Sequence, residues 1–322
     1  MERKIICIVG PTASGKTGWG VKISRKWGGE IISADSRQVY KKLDIGTGKD
    51  LKEYGEIKYH LIDICRPGEH FTMFDWLEKA RVVIDDIFSR GKTPIIVGGT
   101  GLYVQSLIEG FMLGKSEIRN PNVERYKREE LEKKSIKELQ KIIFKLKIEN
   151  FKLDLNNPHR LIRAIERAQS GEITTKKKPD FEALQIAIDL PRDVLYQRID
   201  QRVEEWFEQG FVEEVQSLID AKVKPDWLEK IGLEYRTLAK YLICHFDSTK
   251  SVEKSFKRSF GFAQDDKNKN HGDNEFEDMK QQMKFAIHAF ARRQLTWFRR
   301  FPEVVWCRDL KSAEKEIEKF LI

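Results

Sequence analysis

The chain carries GPTASGKT at residues 10 to 17, a complete match to the phosphate-binding pattern G-x-x-x-x-G-K-[ST]. The match follows the apolar run Ile5-Ile6-Cys7-Ile8-Val9, which predicts a buried strand, and it precedes a segment that predicts a helix. A strand, a glycine loop and a helix in this order direct backbone N–H groups, and the positive end of the helix, at one phosphate. The loop therefore predicts binding of a di- or triphosphate, without saying which molecule carries it.

Eight residues form this predicted diphosphate site: Gly10, Pro11, Thr12, Ala13, Ser14, Gly15, Lys16 and Thr17. We expect the Lys16 ammonium to neutralise phosphate oxygens and the Thr17 hydroxyl to hold Mg²⁺, the expected cofactor. Gly18 and Gly20 fall in the following helix, and each is expected to destabilise it by about 1 kcal/mol relative to alanine.

Composition sets further bounds. The 322 residues suffice for one large or two modest domains, and 59 Lys+Arg against 51 Asp+Glu leave a formal charge of +8. This excess fits a nucleic-acid partner without requiring one. The four cysteines are far apart, which argues against a zinc site or a disulfide framework. With no signal peptide and no apolar run of membrane-spanning length, we expect a cytoplasmic monomer without membrane contact.

The first third of the chain alternates strands with helices. Strands are predicted at Lys4–Val9, Glu30–Ser33, Tyr59–Ile64 and Thr93–Val97, and a helix at 74–88. This alternation predicts the α/β class: a P-loop NTPase-like core with a parallel sheet and helices on both faces. Three polar loops, at 10–17, 33–49 and 98–101, are expected at the carboxyl ends of the strands, where such sheets bind ligands.

The chain changes character after this region. Residues 114–152 are dense in Lys and Glu and predict helix throughout, and Asn157-Pro158 predicts the start of another helix that reaches Gln169. A strand is predicted at Glu182–Leu190, helices between 192 and 242 and at 279–301, and a short strand at 304–306. We therefore predict three segments: 1–113, the first part of the core; 114–180, a mostly helical insertion; and 181–322, core completion with C-terminal helices and a flexible loop at about 247–276.

The loop after the second predicted strand carries the most specific pattern. Residues 33–49 read SADSRQVYKKLDIGTGK. With the P-loop, they resemble the bacterial tRNA dimethylallyltransferases, or tRNA isopentenyltransferases, whose pattern is close to S-x-D-S-x-Q-x-Y-x-x-x-D-I-G-T-x-K-P. Asp50 replaces the final proline, which we expect to be a surface-loop change without consequence. Further segments resemble the family in the same order: GGTGLY at 98–103, NPHRLIRAIE at 157–166, RIDQRV at 198–203 and RRQLTWFR at 292–299. IGLEYR at 231–236 is a longer form of the family's I-G-Y-[KR].

The resemblance implies a reaction in which a dimethylallyl group moves from its diphosphate to N6 of adenine 37, beside the tRNA anticodon. It implies Asp35 as the general base, Thr100 as a positioning residue, and an arginine that stabilises the departing diphosphate, for which we choose Arg202 over Arg198. From the residues alone, Asp35 is equally well explained as a carboxylate of the Mg²⁺ shell or of a turn. Arg202 is equally well explained as a solvated helix charge.

The resemblance also implies contacts with the tRNA anticodon stem-loop, clasped by the helical insertion. The implied residues are Asp35, Ser36, Arg37, Gln38, Thr100, His159, Arg160, Leu161, Ile162, Arg163, Arg292, Arg293, Gln294, Thr296, Trp297 and Arg299. Helical spacing places Arg160, Arg163 and Arg167 on one face, opposite Leu161, Ile165 and Ala168. A second basic face carries Arg292, Arg299 and Arg300.

Three rival functions remain open. An adenylate isopentenyltransferase would share the core and act on free AMP, ADP or ATP, without need for the basic helices. A small-molecule kinase would use ATP and a second substrate site. The third rival, from another class, is a non-catalytic, nucleotide-dependent RNA-binding switch.

Overall fold

The computed structural model describes residues 2–115, 126–146, 148, 153–170, 172–246 and 272–322. Its strands are β1 (Lys4–Val9), β2 (Gly29–Ser33), β3 (Tyr59–His60), β4 (Thr93–Gly98), β5 (Phe111–Lys115), β6 (Glu172–Lys176), β7 (Glu182–Ile188) and β8 (Val304–Cys307). Six of them form one sheet in the order β3-β2-β4-β1-β7-β8, and every pairing in it is parallel. The predicted α/β core with a parallel sheet is confirmed.

The helices of the described residues flank and follow this sheet. They are α1 (Lys16–Trp27), α2 (Leu51–Tyr54), α3 (Met73–Ser89), α4 (Gly101–Ile108), α5 (Arg128–Glu132), α6 (Ile136–Lys145), α7 (Pro158–Ser170), α8 (Arg192–Glu208), α9 (Phe211–Asp220), α10 (Pro225–Ile231), α11 (Leu233–Phe246), α12 (Gly272–Phe298) and α13 (Leu310–Leu321). None of the described helices is long and apolar enough to span a bilayer.

The central strand β1 is apolar on both faces because both faces are covered. Ile6 and Ile8 share a core with Val21 and Ile23 of α1 and with Ile317 of α13. Neighbouring side chains point to the opposite face, since strand side chains alternate, and there Ile5, Cys7 and Val9 are equally buried. Full burial on both faces explains the unbroken apolar run.

Two helical glycines turn out to be sites of close packing. A Cβ on Gly20 would lie 2.6 Å from Val97 Cγ2 of β4, so glycine lets α1 approach the sheet. A Cβ on Gly18 would lie 2.6 Å from Glu53 Oε1, the mobile end of a long side chain. At Gly20 the close packing of α1 on the sheet outweighs the low helix propensity of glycine. At Gly18 the only atom that a Cβ would meet this closely is the end of the Glu53 side chain.

Two element boundaries differ clearly from prediction. β3 ends at His60 rather than Ile64 because Leu61 and Asp63 adopt positive φ angles of 62° and 56°, which end the extended backbone. α12 begins at Gly272 rather than Met279. The predicted flexible loop at 247–276 is therefore wrong for its last five residues, and the remainder lies outside the described residues.

Residues Glu109–Pro179 form a second compact unit, distinct from the unit built by Met1–Ile108 and Asp180–Ile322. The predicted insertion, 114–180, begins five residues later than this unit and ends one residue after it. β5 and β6 pair antiparallel here, so the prediction of helix from residue 114 onward is wrong at its start. Ser135 and Glu138 form a capping box that starts α6 and separates it from α5. The buried core of this unit includes Leu131, Leu139, Ile142, Leu161, Ile162 and Ile165.

Candidate active site

The glycine loop connects the carboxyl end of β1 to the start of α1. Gly10 and Gly15 have φ angles of 156° and 86°, and Ala13 also lies in the left-handed region at 60°. No side chain caps α1 at Gly15, and the first amide of the helix to bond within the loop is Trp19 N–H, 3.2 Å from Gly15 O. The first-turn N–H groups therefore remain available to an anion, as the sequence predicts.

The loop forms one wall of a cavity of about 160 Å³. Opposite it lie Asp35, beyond the end of β2, and Gly98, at the end of β4. Arg202 of α8 and Gln294 of α12 complete the lining together with the 46–54 segment. Residues from widely separated regions of the sequence thus converge on one volume, with the phosphate-binding loop as one of its walls.

Lys16 reaches from the start of α1 back across the loop. Its Nζ donates a hydrogen bond to Pro11 O at 3.2 Å. Loss of solvation is the main cause that lowers the pKa of Lys16 to about 8; the charge of Asp35 opposes this shift, and the charges of Arg202 and Arg37 add to it. The ammonium is therefore charged near neutral pH and is held close to Asp35 without pairing fully with it.

Asp35 stands on a loop that is tied to the end of β4. Its Oδ1 accepts the backbone N–H of Arg37 at 3.0 Å, so the carboxylate does cap a turn while it lines the cavity. Ala34 N–H donates to Val97 O at 2.8 Å, and Thr100 N–H donates to Ala34 O at 3.1 Å. A Cβ on Gly98 would lie 2.2 Å from Ala34 O, so only glycine permits this contact.

Thr100 supports the same loop. Its hydroxyl oxygen accepts the backbone N–H of Ser36 at 3.0 Å and is 3.4 Å from the Ser36 hydroxyl. Thr100 and Ser36 therefore hold the Asp35 loop in place. Their predicted contacts with tRNA stay predictions.

Arg37 is committed inside the protein. Its Nη1 donates to both carboxylate oxygens of Glu234, and its guanidinium lies 5.2 Å from the centre of the Phe290 ring. Burial lowers the pKa of Arg37, but the carboxylates of Glu234 and Asp35 outweigh burial and hold it above its usual range. The Arg37 side chain is thus paired with Glu234 within the protein, and its predicted contact with tRNA stays a prediction. Glu234 belongs to IGLEYR, the segment in which the chain departs from the family pattern.

Gln38 and Lys49 also act within the protein. Gln38 Oε1 accepts the Ser33 hydroxyl at 3.0 Å, and its Nε2 is 3.4 Å from Thr47 O. Lys49 Nζ is buried and donates to Tyr40 O at 2.5 Å and to Asp63 Oδ1 at 2.6 Å. The signature between residues 33 and 49 is thus largely a scaffold that shapes the loop around Asp35.

Glu214 anchors the far end of that signature. Its carboxylate accepts the backbone N–H groups of Asp44, Ile45 and Gly46, at 2.8, 2.7 and 3.2 Å. The hydroxyl of Tyr235 donates to the same carboxylate at 2.7 Å. The role of Glu214 cannot be predicted from the sequence, because acidic residues are common in the first turn of a helix, where they interact favourably with the helix dipole.

Two arginines of α8 approach the cavity in different ways. Arg198 Nη1 lies 3.4 Å from Ser14 O, so it touches the phosphate loop from outside the cavity lining. Arg202 lines the cavity, and burial lowers its pKa, with Glu205 opposing the shift. Among the described residues Arg202 has no hydrogen-bond or ion-pair partner. The preference for Arg202 over Arg198 as the anion-stabilising group stays a prediction, now with a location that suits it.

Asp50 and Glu53 also line the cavity. Asp50 is exposed, as expected of a surface position, and it also lines the cavity, so the expectation that its change is without consequence stays a prediction. Burial raises the pKa of Glu53, and the charge of Asp50 raises it further. Glu53 lies beside Gly18, and both carboxylates share the cavity lining with Thr17, where a bound cation could use them.

On α7, exposure separates the predicted contact residues into two groups. His159, Arg160 and Arg163 are exposed, whereas Leu161 and Ile162 are buried in the core of the second unit. The side chains of Leu161 and Ile162 hold the helix in place, and the predicted tRNA contacts of these two residues stay predictions. Ala168, expected on the buried stripe, is exposed.

On α12, the predicted contact residues divide in the same way. Arg292, Arg293, Thr296 and Arg299 are exposed, and Arg292 Nη1 donates to the Tyr196 hydroxyl at 2.8 Å. Trp297 instead packs on Gly101, where a Cβ would lie 2.2 Å from its Cδ1. Gln294 Oε1 accepts Thr12 N–H at 2.9 Å, and its Nε2 donates to Gly99 O at 2.9 Å. α12 thus presents a basic face to solvent and a structural face to the site.

Comparison with known proteins identifies two families along the chain. Residues 38–301 match the family described as IPP transferase, and residues 3–58 match isopentenyl transferase. The chain is 41% identical to "tRNA dimethylallyltransferase 2" of Syntrophotalea carbinolica over 93% of this chain and 91% of that protein. It is 36% identical to "tRNA dimethylallyltransferase 1" of Parabacteroides distasonis over 98% of this chain and 95% of that protein.

Solved structures of related enzymes have the same fold. The tRNA isopentenylpyrophosphate transferase of Bacillus halodurans superposes with a TM-score of 0.65 at 30% identity, covering 100% of this chain and 96% of that one. A eukaryotic dimethylallyltransferase acting on tRNA superposes with a TM-score of 0.66, covering 99% of this chain and 78% of that one. At 22% identity, the second match supports the fold alone.

Proposed function

The chain belongs to the IPP transferase family, and the relatives that it resembles are named tRNA dimethylallyltransferases. From this premise we propose the reaction and the roles of the residues. The protein transfers a dimethylallyl group from dimethylallyl diphosphate to N6 of adenine 37, next to the tRNA anticodon, and releases diphosphate. The observation that carries the proposal is the convergence of Lys16, Asp35 and Arg202 on one cavity. An anion-binding loop, a carboxylate and an unpaired guanidinium are what this transfer needs.

The diphosphate is held by the loop and by two cations. First-turn N–H groups of α1 and the Lys16 ammonium bind its oxygens, and Arg202 lies across the cavity from them. As the bond between carbon and oxygen breaks, negative charge accumulates on the departing diphosphate. Fixed positive groups stabilise that charge where it develops, and their burial strengthens the effect.

Asp35 acts on the acceptor. The N6 lone pair is delocalised into the purine ring, so N6 becomes a usable nucleophile only as its proton is removed. The Asp35 carboxylate takes that proton while N6 forms its bond to the allylic carbon. Thr100 and Ser36 keep Asp35 in position through the hydrogen bonds of the loop.

The oxygen groups around Thr17 fit a magnesium ion. Mg²⁺ prefers oxygen ligands and commonly binds through one or two carboxylates together with substrate phosphates. The Thr17 hydroxyl and the carboxylates of Asp50 and Glu53 line the same cavity. Within the described residues no group of three or more His, Cys, Asp or Glu could hold a metal unaided, so the substrate phosphates would complete the set. A bound Mg²⁺ would neutralise phosphate charge there.

The tRNA would be bound through exposed cations. Arg160 and Arg163 on α7, and Arg292, Arg293 and Arg299 on α12, are suited to phosphate contacts, which fix position without reading sequence. N6 of a stacked base is out of reach, so adenine 37 turns out of its loop into the cavity. We also propose a cytoplasmic monomer; the free and buried thiols of Cys7, Cys65 and Cys307 in the described residues support a reducing compartment.

Labelled dimethylallyl diphosphate tests the proposal against its rivals. The label is offered with tRNA and with free AMP, and ATP is offered with small acceptors in a parallel assay. We expect label on tRNA alone, and loss of transfer to a tRNA with guanosine at position 37. Label on AMP would favour the adenylate isopentenyltransferase, and phosphate transfer from ATP would favour the kinase. Nucleotide-dependent RNA binding without any transfer would favour the switch.

A further inference from the structure

Gln294 closes one end of the phosphate loop. Its carboxamide is held at both ends: Oε1 accepts the N–H of Thr12 at 2.9 Å, and Nε2 donates to the carbonyl of Gly99 at 2.9 Å. Gly99 leaves room for this contact, because a Cβ there would lie 2.6 Å from Nε2. The amide therefore has a defined place between the phosphate loop and the loop after β4.

That place is the end of the loop that Lys16 reaches. Lys16 Nζ lies 3.2 Å from Pro11 O, and the Cβ position of Gly99 is 3.6 Å from Lys16 Cε. The ammonium thus lies beside the first turn of the loop, near Thr12. In the proposed function, the diphosphate lies between the start of α1 and this ammonium. A third phosphate that continued past the ammonium would need the Thr12 N–H, which Gln294 already occupies.

We infer that Gln294 limits the phosphate loop to a diphosphate and is a specificity-determining residue of the site. The inference rests on the proposed function, in which the loop binds a diphosphate ester. The carbonyl end of the amide carries partial negative charge and repels a third phosphate. Displacing the amide would break two hydrogen bonds and leave the Gly99 carbonyl without its donor. The same P-loop pattern binds triphosphates in other proteins, so a local feature outside the pattern must determine how many phosphates the loop accepts.

Inorganic diphosphate and inorganic triphosphate, each with Mg²⁺, are the probes that isolate phosphate count from the base and the prenyl group. Their affinities are measured by calorimetry on the full chain for four proteins: wild type, Gln294→Ala, Gln294→Asn and Gln282→Ala. Gln282 is an exposed glutamine on the same helix and provides the matched control. The shorter Asn side chain cannot span both partners, and it keeps the test available if the Ala variant folds poorly.

We expect wild type and Gln282→Ala to prefer diphosphate. In Gln294→Ala the ratio of triphosphate to diphosphate affinity should rise about tenfold, because triphosphate gains one hydrogen bond and escapes one repulsion, with a smaller rise in Gln294→Asn. The same ratio in all four proteins would overturn the inference and leave the diphosphate site standing. Failure of wild type to bind diphosphate at all would overturn the site itself, and the inference with it.

Discussion

Arg37 Nη1 lies 2.7 and 2.5 Å from the two carboxylate oxygens of Glu234, although 197 residues separate them in sequence. The pair is almost closed to solvent, with side-chain exposures of 14% for Arg37 and 3% for Glu234. It ties the loop that carries Asp35 to α11. The C-terminal helices therefore set the shape of a cavity whose chemistry comes mainly from the N-terminal half.

Loss of the Glu234 charge should destabilise the protein, because buried Arg37 would lose its hydrogen-bonded counter-charge and keep only the nearby charge of Asp35. We expect Glu234→Gln to lower the free energy of unfolding by about 3 kcal/mol, measured by urea denaturation. Glu208→Gln, at the exposed end of α8, removes the same charge and should leave the midpoint nearly unchanged. Equal midpoints for the two variants would contradict this account of the pair.

Asp35→Asn should separate catalysis from binding. The asparagine oxygen can still accept the Arg37 N–H, so the turn is preserved while the base is lost. Single-turnover transfer to tRNA should fall by roughly two to four decades, with tRNA affinity retained. Asp278→Asn, on the exposed surface of α12, is the matched control. A normal single-turnover rate in Asp35→Asn would remove Asp35 from the role of base.

The affinity for dimethylallyl diphosphate should depend on pH through Lys16. The pKa of Lys16 is about 8, and only the ammonium form pairs with the diphosphate. As pH rises through about 8, the free protein loses this charge and binding should weaken, by up to about tenfold for each further pH unit. Lys16→Arg is the control: its side chain stays charged over this pH range, while the diphosphate ligand ionises in the same way for both proteins. A parallel pH profile in both proteins would show that Lys16 does not cause the dependence.

The basic faces should govern how tRNA binding responds to salt. Single replacements of Arg160, Arg163, Arg292 and Arg299 by alanine should weaken tRNA binding. Each should reduce the slope of log K against log salt by about 0.9 for every duplex phosphate that is no longer neutralised, or by about 0.7 in a single-stranded loop. Binding of dimethylallyl diphosphate should not change. Lys315→Ala, on exposed α13, controls for net charge. An unchanged slope in all four variants would favour the free-adenylate acceptor.

The two glycines of α1 should respond oppositely to alanine. At Gly18 the competing atom is the end of the Glu53 side chain, which can move, so Gly18→Ala should stabilise the helix by up to about 1 kcal/mol. At Gly20 the competing atom is a branch of buried Val97, so Gly20→Ala should destabilise the protein by about 1–3 kcal/mol. Urea midpoints measure both effects. If Gly20→Ala proved as stable as Gly18→Ala, the close-packing explanation would fail.

Local patterns predict the parts of the fold that are decided locally. The bounds of β1 agree with prediction at both ends, because an unbroken apolar run that leads into a glycine loop is typical of a buried strand of a parallel sheet. Asn157 caps α7 by accepting the N–H of Arg160 at 3.2 Å, as the Asn-Pro pair predicts. β6 is missed because its short, polar sequence has little signal beyond its β-branched residues.

Only part of the candidate site can be predicted from local sequence patterns. The phosphate loop and Asp35 are found because each lies at a strand end. The structural roles of Glu214, Glu234 and Gln294 are missed because their partners lie 168 to 282 residues away, beyond the reach of any periodic pattern. Arg37, Leu161 and Ile162 show a second limit: each belongs to a motif, but the contacts that its side chain makes within the protein are visible only in the fold.

The place of β1 in the sheet has a consequence for the newly made chain. β1 pairs with β4 on one side and with β7 on the other, and β7 follows β4 only after the whole second unit. While the ribosome makes those intervening residues, the four N-terminal strands can pair, but β1 stands at the edge as an apolar strand with unsatisfied backbone groups. At roughly 5–20 residues per second this interval lasts on the order of ten seconds. A chaperone acting on the emerging polypeptide would find its substrate in this strand.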